Sequence, residues 1–106
     1  MARALKDAKG QSILRRIVSI YLDEEAGRLE CLGKLVRARQ AEELAQEAHS
    51  FGGNAVSFGG MQVRRVALEL EDAARTEDWP LAEKRLLQLR EASLRLKSEL
   101  SQLSYV

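Results

Sequence analysis

The chemistry that this sequence can offer centres on His49, the single histidine among 106 residues. A neutral imidazole is a nucleophile near pH 7, because the ordinary pKa of a histidine side chain is about 6.5. On a helical wheel whose apolar stripe is centred near Ala48, the His49 side chain points about 100° away from that centre. The spacing therefore predicts an imidazole at the flank of a buried helix face, within reach of solvent. A surface histidine without a function is the alternative that the spacing leaves open.

Two adjacent glycines, Gly52 and Gly53, follow the histidine by about one helical turn. Each costs a helix about 1 kcal/mol relative to alanine, so a segment of good helix formers needs a reason to carry them. One interpretation is that a partner protein approaches the imidazole closely across them. The other is that residues 51–54 end the helix, with glycine in the left-handed conformation. The residues predicted to share the flank of His49 are small or short: Ala45, Gly52, Gly53 and Val56.

Hydrophobic spacing predicts helices throughout the chain. The first spans about 12–37, with Ser12 as its N-cap and a kink or split near 23–27. A change in the phase of the apolar residues predicts a turn at 37–40, and the second helix begins near Ala41. The third spans Met61–Arg75. The fourth follows Asp78, which can cap it, with Pro80 in its first turn.

Four amphipathic helices joined by short turns bury their stripes most simply as an antiparallel bundle. We therefore predict an all-α, up-down-up-down four-helix bundle, with or without a short extra N-terminal helical segment. A single domain accounts for the chain, with 1–11 as an N-terminal extension and 12–103 as the bundle. Cys31 lies among leucines, and we expect it to pack as a small hydrophobic residue.

Composition argues against several other classes of protein. Seventeen basic and sixteen acidic residues nearly balance, and the sequence contains no block of five like charges. The charge pattern therefore does not indicate a nucleic-acid binder. A lone cysteine forms no intrachain disulfide, and one histidine and one cysteine far apart form no metal-ligand cluster. No apolar run is long enough to span a bilayer or to act as a signal peptide, so we expect a cytoplasmic protein without membrane contact. No phosphate-binding loop of the ATP-binding type is present.

Residues 48–60, which read A-H-S-F-G-G-N-A-V-S-F-G-G, resemble the signature of histidine phosphotransfer (HPt) domains, approximately A-H-x-L-K-G-x-x-x-x-[LI]-G-A. The similarity extends from about Ile13 to Leu100. It implies that His49 is the phospho-accepting residue and that Gly53 is the small residue that admits the partner. It also implies that Gly59 closes the helix.

The resemblance implies a phosphocarrier without kinase activity of its own. His49 would accept a phosphoryl group from the phospho-aspartate of a receiver domain and pass it to another receiver in a two-component phosphorelay. The expected partners are response-regulator receiver domains and a hybrid histidine kinase. The receiver would supply Mg²⁺, and this chain, expected to be a monomer, would hold no cofactor or metal. The predicted docking surface comprises Ala45, Ser50, Gly52, Gly53 and Val56.

One departure from the signature bears on function. The family usually has lysine three residues after the histidine, beside the transferred group, and this chain has Gly52. Arg64 or Arg65 is a candidate to replace that cation, and a solvated surface role is the alternative for both. The missing lysine also leaves open a receiver-binding inhibitor that accepts no phosphate. A helical adaptor with an incidental His49 and a domain dedicated to one histidine kinase are the remaining alternatives.

Overall fold

A computed structural model describes the backbone of residues 8–103 and the side chains of residues 13–102. It contains four helices: α1 Ala8–Ala38, α2 Ala41–Val56, α3 Met61–Arg75 and α4 Trp79–Leu103. Each helix packs on the next, and α1 also packs on α4, which closes the bundle. The described residues contain no strand, so the predicted all-α four-helix architecture is confirmed.

The core consists of one apolar stripe from each helix. Leu32, Leu44, Leu70 and Leu89, one from each helix, are each at most 1% exposed. Burying a leucine side chain contributes about 2 kcal/mol relative to leaving it in water. This shared core fixes the rotation of α2 and α3, and therefore which of their flanking residues face solvent.

Each of the three turns between helices contains one residue in the left-handed backbone conformation. Arg39, Gly59 and Glu77 have φ values of 53°, 77° and 54°, in the left-handed region. At the end of α2, the Gly60 N–H donates to the Ala55 carbonyl at 2.8 Å and the Gly59 N–H donates to the Val56 carbonyl at 3.0 Å. This paired pattern satisfies helix carbonyls that would otherwise lack a donor. The turn predicted at 37–40 is confirmed, although a non-glycine residue takes the strained position there.

The helix boundaries differ from prediction mainly in α1. This helix begins by Ala8 and continues unbroken through Ser12 and Gly27, so Ser12 is not its N-cap and the expected split is absent. A single exposed glycine costs about 1 kcal/mol, which the good helix formers around it absorb. Of the predicted 1–11 extension, residues 1–7 lie outside the described residues and 8–11 belong to α1. Cys31 is exposed rather than packed, because the stripe of α1 buries the adjacent Leu32 instead.

The start of α4 follows the prediction closely. The Leu81 N–H donates to the Asp78 carboxylate at 3.2 Å, so Asp78 does cap the helix. Pro80 occupies the first turn, where the N–H that it lacks would have no helical partner. None of the helices in the described part of the chain is long and apolar enough to cross a membrane.

The four helices differ in length, and this difference shapes one end of the molecule. α1 has 31 residues and α4 has 25, whereas α2 has 16 and α3 has 15. Near the end of α2, the Phe58 ring stacks on Tyr21 of α1 with ring centroids 4.0 Å apart. Burial and the neighbouring Glu25 carboxylate raise the pKa of the Tyr21 hydroxyl, so this ring stays neutral. From this contact, α1 extends past the end of α2 in the direction of Ala8.

Candidate functional site

The candidate site is built on α2, which the core holds from one side. Ala48 and Phe51 are 0% and 3% exposed, whereas the His49 side chain between them is 69% exposed. Core packing therefore fixes the backbone on which the imidazole stands, and the ring itself faces solvent. The structure confirms the predicted exposure of His49.

A charged network from α3 holds one edge of the imidazole. The Nδ1 atom of His49 lies 3.0 Å from Oε1 of Glu71. The other carboxylate oxygen of Glu71 accepts hydrogen bonds from Arg75, at 2.7 Å from Nη2 and 3.2 Å from Nε. The Glu71 side chain is 12% exposed, whereas that of Arg75 is 58% exposed. Glu71 is thus the partly hidden centre of a network that joins α2 to α3.

The protonation state of Glu71 follows from its partners. Burial by itself raises the pKa of this carboxyl group, but the hydrogen bonds from Arg75 and His49 outweigh burial and hold the pKa below its ordinary value. Glu71 is therefore a carboxylate at neutral pH, and a carboxylate only accepts hydrogen bonds. The proton in the contact with His49 consequently resides on Nδ1.

This contact determines what the imidazole can do. A neutral histidine with its proton on Nδ1 has its lone pair on Nε2. Because Nδ1 lies against Glu71 and the side chain is largely exposed, the nucleophilic nitrogen is the one directed away from the protein. The carboxylate also favours a positive charge on the ring, which develops when Nε2 bonds to an electrophile. The arrangement is that of an oriented, solvent-facing nucleophile.

The two glycines after His49 have different environments. A Cβ atom on Gly52 would lie 3.1 Å from the Ala67 Cβ and 3.4 Å from the Arg64 backbone, whereas a Cβ on Gly53 would meet nothing within 4 Å. Gly52 therefore permits close packing of α2 on α3, and Gly53 leaves open space beside the imidazole. The interpretation of residues 51–54 as a helix end is wrong, because α2 continues to Val56.

The predicted docking surface needs two corrections. Ala45 is 1% exposed and Gly52 is buried, so neither presents a side chain or open space to a partner. Ala45 belongs to the core, and Gly52 lies against Ala67 and the Arg64 backbone of α3. The buried face of α2 is therefore wider than the helical wheel predicted. Ser50, Gly53 and Val56 are exposed, as expected. The Ser50 hydroxyl also accepts a hydrogen bond of 3.5 Å from Arg28 of α1.

The structure separates the two candidate cations. The Arg64 backbone lies against Gly52, one turn along α2 from His49, and the Arg64 side chain is exposed. Arg65 instead lines a surface groove between α3 and α4, together with Arg85 and Arg95. Arg64 is thus on the α2 side of α3, and Arg65 is not brought to the candidate site. In the described part of the chain, no three His, Cys, Asp or Glu side chains form a group that could hold a metal ion.

Comparison of the chain with known proteins identifies a family but no individual relative. A search of curated proteins and a search of solved structures each found no match. The family model of the Hpt domain matches residues 16–105, which is nearly the whole chain. The match includes α2 with His49 and α3 with Glu71 and Arg75.

Proposed function

Because the chain belongs to the Hpt domain family, whose members transfer phosphoryl groups in two-component signalling, we propose that Nε2 of His49 accepts a phosphoryl group from the phospho-aspartate of a receiver domain and passes it to another. The observation that supports this most directly is the contact of His49 Nδ1 with a largely buried, ionised Glu71. That contact leaves the second ring nitrogen as the exposed nucleophile.

The proposed step is an in-line displacement at phosphorus. The Nε2 lone pair forms the N–P bond while the P–O bond to the receiver aspartate breaks and the aspartate leaves as a carboxylate. The proton stays on Nδ1, so the ring carries a positive charge beside the Glu71 carboxylate. Transfer to the second receiver reverses these bond changes. Such transfer depends mainly on positioning and on neutralising charge, and Glu71 contributes to both.

The partner would dock over the exposed surface around His49. Gly53 offers open space beside the imidazole, with Ser50 and Val56 exposed next to it. The receiver would supply Mg²⁺ and its own lysine, and this chain would supply the nucleophile. The interface would be small, because a carrier must leave each partner after transfer.

Arg64 is the residue that we propose to take the place of the family's lysine. A Cβ atom at position 52 would lie 3.1 Å from the Ala67 Cβ, so a lysine there would require α2 and α3 to move apart by a few tenths of an ångström. The same closeness brings Arg64 to within one helical turn of His49 along α2. A guanidinium there could donate to phosphoryl oxygens while the group is transferred.

The test is a transfer assay with the purified chain and phosphorylated receiver domains encoded near its gene. We expect acid-labile, base-stable label on the wild-type chain and none on His49→Gln, which removes the single histidine. Nuclear magnetic resonance of the labelled imidazole should show phosphorus on Nε2. Label that survives in His49→Gln, or phosphorus on Nδ1, would refute the proposal.

Two further arms of this assay address the alternatives. Incubation with ATP alone should give no label, as expected for a carrier that lacks kinase activity. A receiver that binds the chain without any transfer would instead identify a receiver-binding inhibitor, which the absence of the lysine makes chemically reasonable. A chain that neither binds nor accepts phosphate from any receiver would be a helical adaptor.

A further inference from the structure

An uncovered apolar surface lies on the first half of α1, remote from the carrier residue. Ile13, Ile17 and Ile20 are 53%, 47% and 51% exposed, and Leu14 beside them is 44% exposed. We call these four residues the α1 stripe. Isolated apolar residues are common on protein surfaces, but a contiguous patch of large ones indicates an interaction site.

The helix lengths explain why the α1 stripe is uncovered. α2 ends at Val56 and its Phe58 turn stacks on Tyr21, whereas α1 continues toward Ala8. A groove of about 360 Å³ lies where a longer α2 would continue, and Ile17, Ile20 and Phe58 line it. Within the described residues, the cross-section of the bundle at this level contains α1 and α4 alone of the four helices.

The sequence of the α1 stripe has the spacing of a helix-pairing seam. Ile13, Ile17 and Ile20 are separated by four and three residues, which is the alternation of the core positions in coiled coils. Arg16 and Asp23 lie along one edge of this seam. Leu14 and Tyr21 lie along the other edge.

We propose that the α1 stripe binds the α1 stripe of a second copy of this chain, with the two helices antiparallel about a two-fold axis. In that register, Ile17 of each copy packs on Ile20 of the other, and Arg16 of each copy faces Asp23 of the other. Leu14 lies opposite Tyr21 in the same way. A parallel pairing would place Arg16 near Tyr21. Its pair of opposite charges would be Asp23 and Arg28, and Arg28 already donates to Ser50 of α2. Charge complementarity therefore selects a second, antiparallel copy of the same segment.

Two-fold symmetry makes each of these contacts twice, which is how a short segment can form a self-complementary interface. The dimer departs from the monomer expected from the sequence. It leaves His49 accessible, because that residue lies on the α2–α3 face, roughly 10 Å along α2 from its last residue, Val56, at 1.5 Å per residue. Dimerisation and the carrier function can therefore be tested independently of each other.

Sedimentation equilibrium over a range of concentrations tests the proposal. The wild-type chain should approach twice its 11.9 kDa mass as its concentration rises. The variant Ile17→Glu/Ile20→Glu should remain a monomer with unchanged helix content. Leu87→Glu/Leu94→Glu is the matched control, because these α4 leucines are 64% and 65% exposed and lie outside the α1 stripe. It should dimerise as the wild type does.

A charge exchange tests the antiparallel register. Arg16→Glu should weaken dimerisation about tenfold, because two surface ion pairs are replaced by two repulsions. Adding Asp23→Arg to the same chain should restore it. A wild type that stays monomeric at the highest concentration, or a charge exchange that restores nothing, would overturn the proposal. If the wild type is a monomer and Ile17→Glu/Ile20→Glu loses receiver binding, the α1 stripe binds the receiver and the proposal is likewise overturned.

Discussion

The two exposed regions of this bundle differ in how their side chains are held. Around His49, α2 packs closely on α3, and a buried carboxylate binds the exposed imidazole. On the α1 stripe, four apolar side chains project from a part of α1 that extends beyond the end of α2. A residue that performs chemistry must be held in one geometry while it is exposed. Apolar side chains that serve as a binding surface do not need to be held in this way before the partner binds. The close α2–α3 packing is thus part of the site, although it does not touch the partner.

Gly53→Trp should give the largest effect on the His49 region. The open space beside the imidazole would be filled, and the receiver aspartate would be held away from Nε2. A misplacement of about 1 Å can cost about 100-fold in rate, so we expect phosphotransfer to fall at least that far. Single-turnover transfer from a phosphorylated receiver measures this loss, and circular dichroism should show unchanged helix content. Transfer at the wild-type rate would place the docking surface elsewhere.

Glu71→Ala should reduce the transfer rate by roughly 10–100-fold, the usual effect of removing a group that orients a functional histidine. The variant loses both the Nδ1 contact and the negative charge beside the ring. Glu71→Gln should recover part of the rate, because an amide oxygen can still accept the hydrogen bond that Nδ1–H donates. Asp72→Asn, an exposed acidic neighbour, serves as the control and should transfer normally. Equal rates for Glu71→Ala and the wild type would show that the network is structural only.

Leucine substitutions at the two glycines separate packing from access. Gly52→Leu should destabilise the fold by about 1–3 kcal/mol, because its Cβ would lie only 3.1 Å from the Ala67 Cβ and the two helices would have to shift to admit the side chain. Gly53→Leu should stabilise it by about 0.5–1 kcal/mol, because leucine is the better helix former and meets open space. Urea unfolding measures both values. A similar change in both variants would contradict the distinction between the two positions.

The sequence predicted the helices well because the phase of apolar residues is a property of each helix alone. The bounds of α3 and the turn after Ala38 followed from this phase, even though the turn carries Arg39 rather than glycine in its left-handed position. The site was predicted only in part. The exposure of His49 is also a property of one helix, so the wheel identified it.

His49 and Glu71 are 22 residues apart in sequence and lie on different helices. Glu71 was missed as a partner of His49 because their contact depends on how α2 and α3 are rotated and aligned relative to each other. The same dependence explains the errors at Ala45, which the core buries, and at Gly52, which α3 covers. One local signal existed: Glu71 borders the buried stripe of α3 and has Arg75 four residues later, a spacing that supports a carboxylate in a half-buried position. Such a pair indicates a structural ion pair as readily as a site, so it could not be assigned without α2 beside it.

The last and smallest expected effect concerns the dependence of stability on pH. The pKa of Glu71 is lower in the folded state than its ordinary value of 4.5, so the folded state favours the carboxylate. The resulting stabilisation is fully present above pH 4.5 and is lost as the pH falls through the lowered pKa. It should amount to about 1 kcal/mol, because Arg75 and His49 are themselves largely exposed and solvent screens them.

Urea unfolding of the wild type and Glu71→Gln at several pH values measures this effect. The difference in unfolding free energy between the two should be present at neutral pH and should shrink as the pH falls below about 4.5. Ile17→Glu/Ile20→Glu, which alters only the α1 stripe, should retain the wild-type profile at protein concentrations where both are monomeric. A difference that persists undiminished at pH 2 to 3 would mean that Glu71 acts through packing rather than through its charge, and the account of the imidazole as a ring oriented by an ionised partner would fail with it.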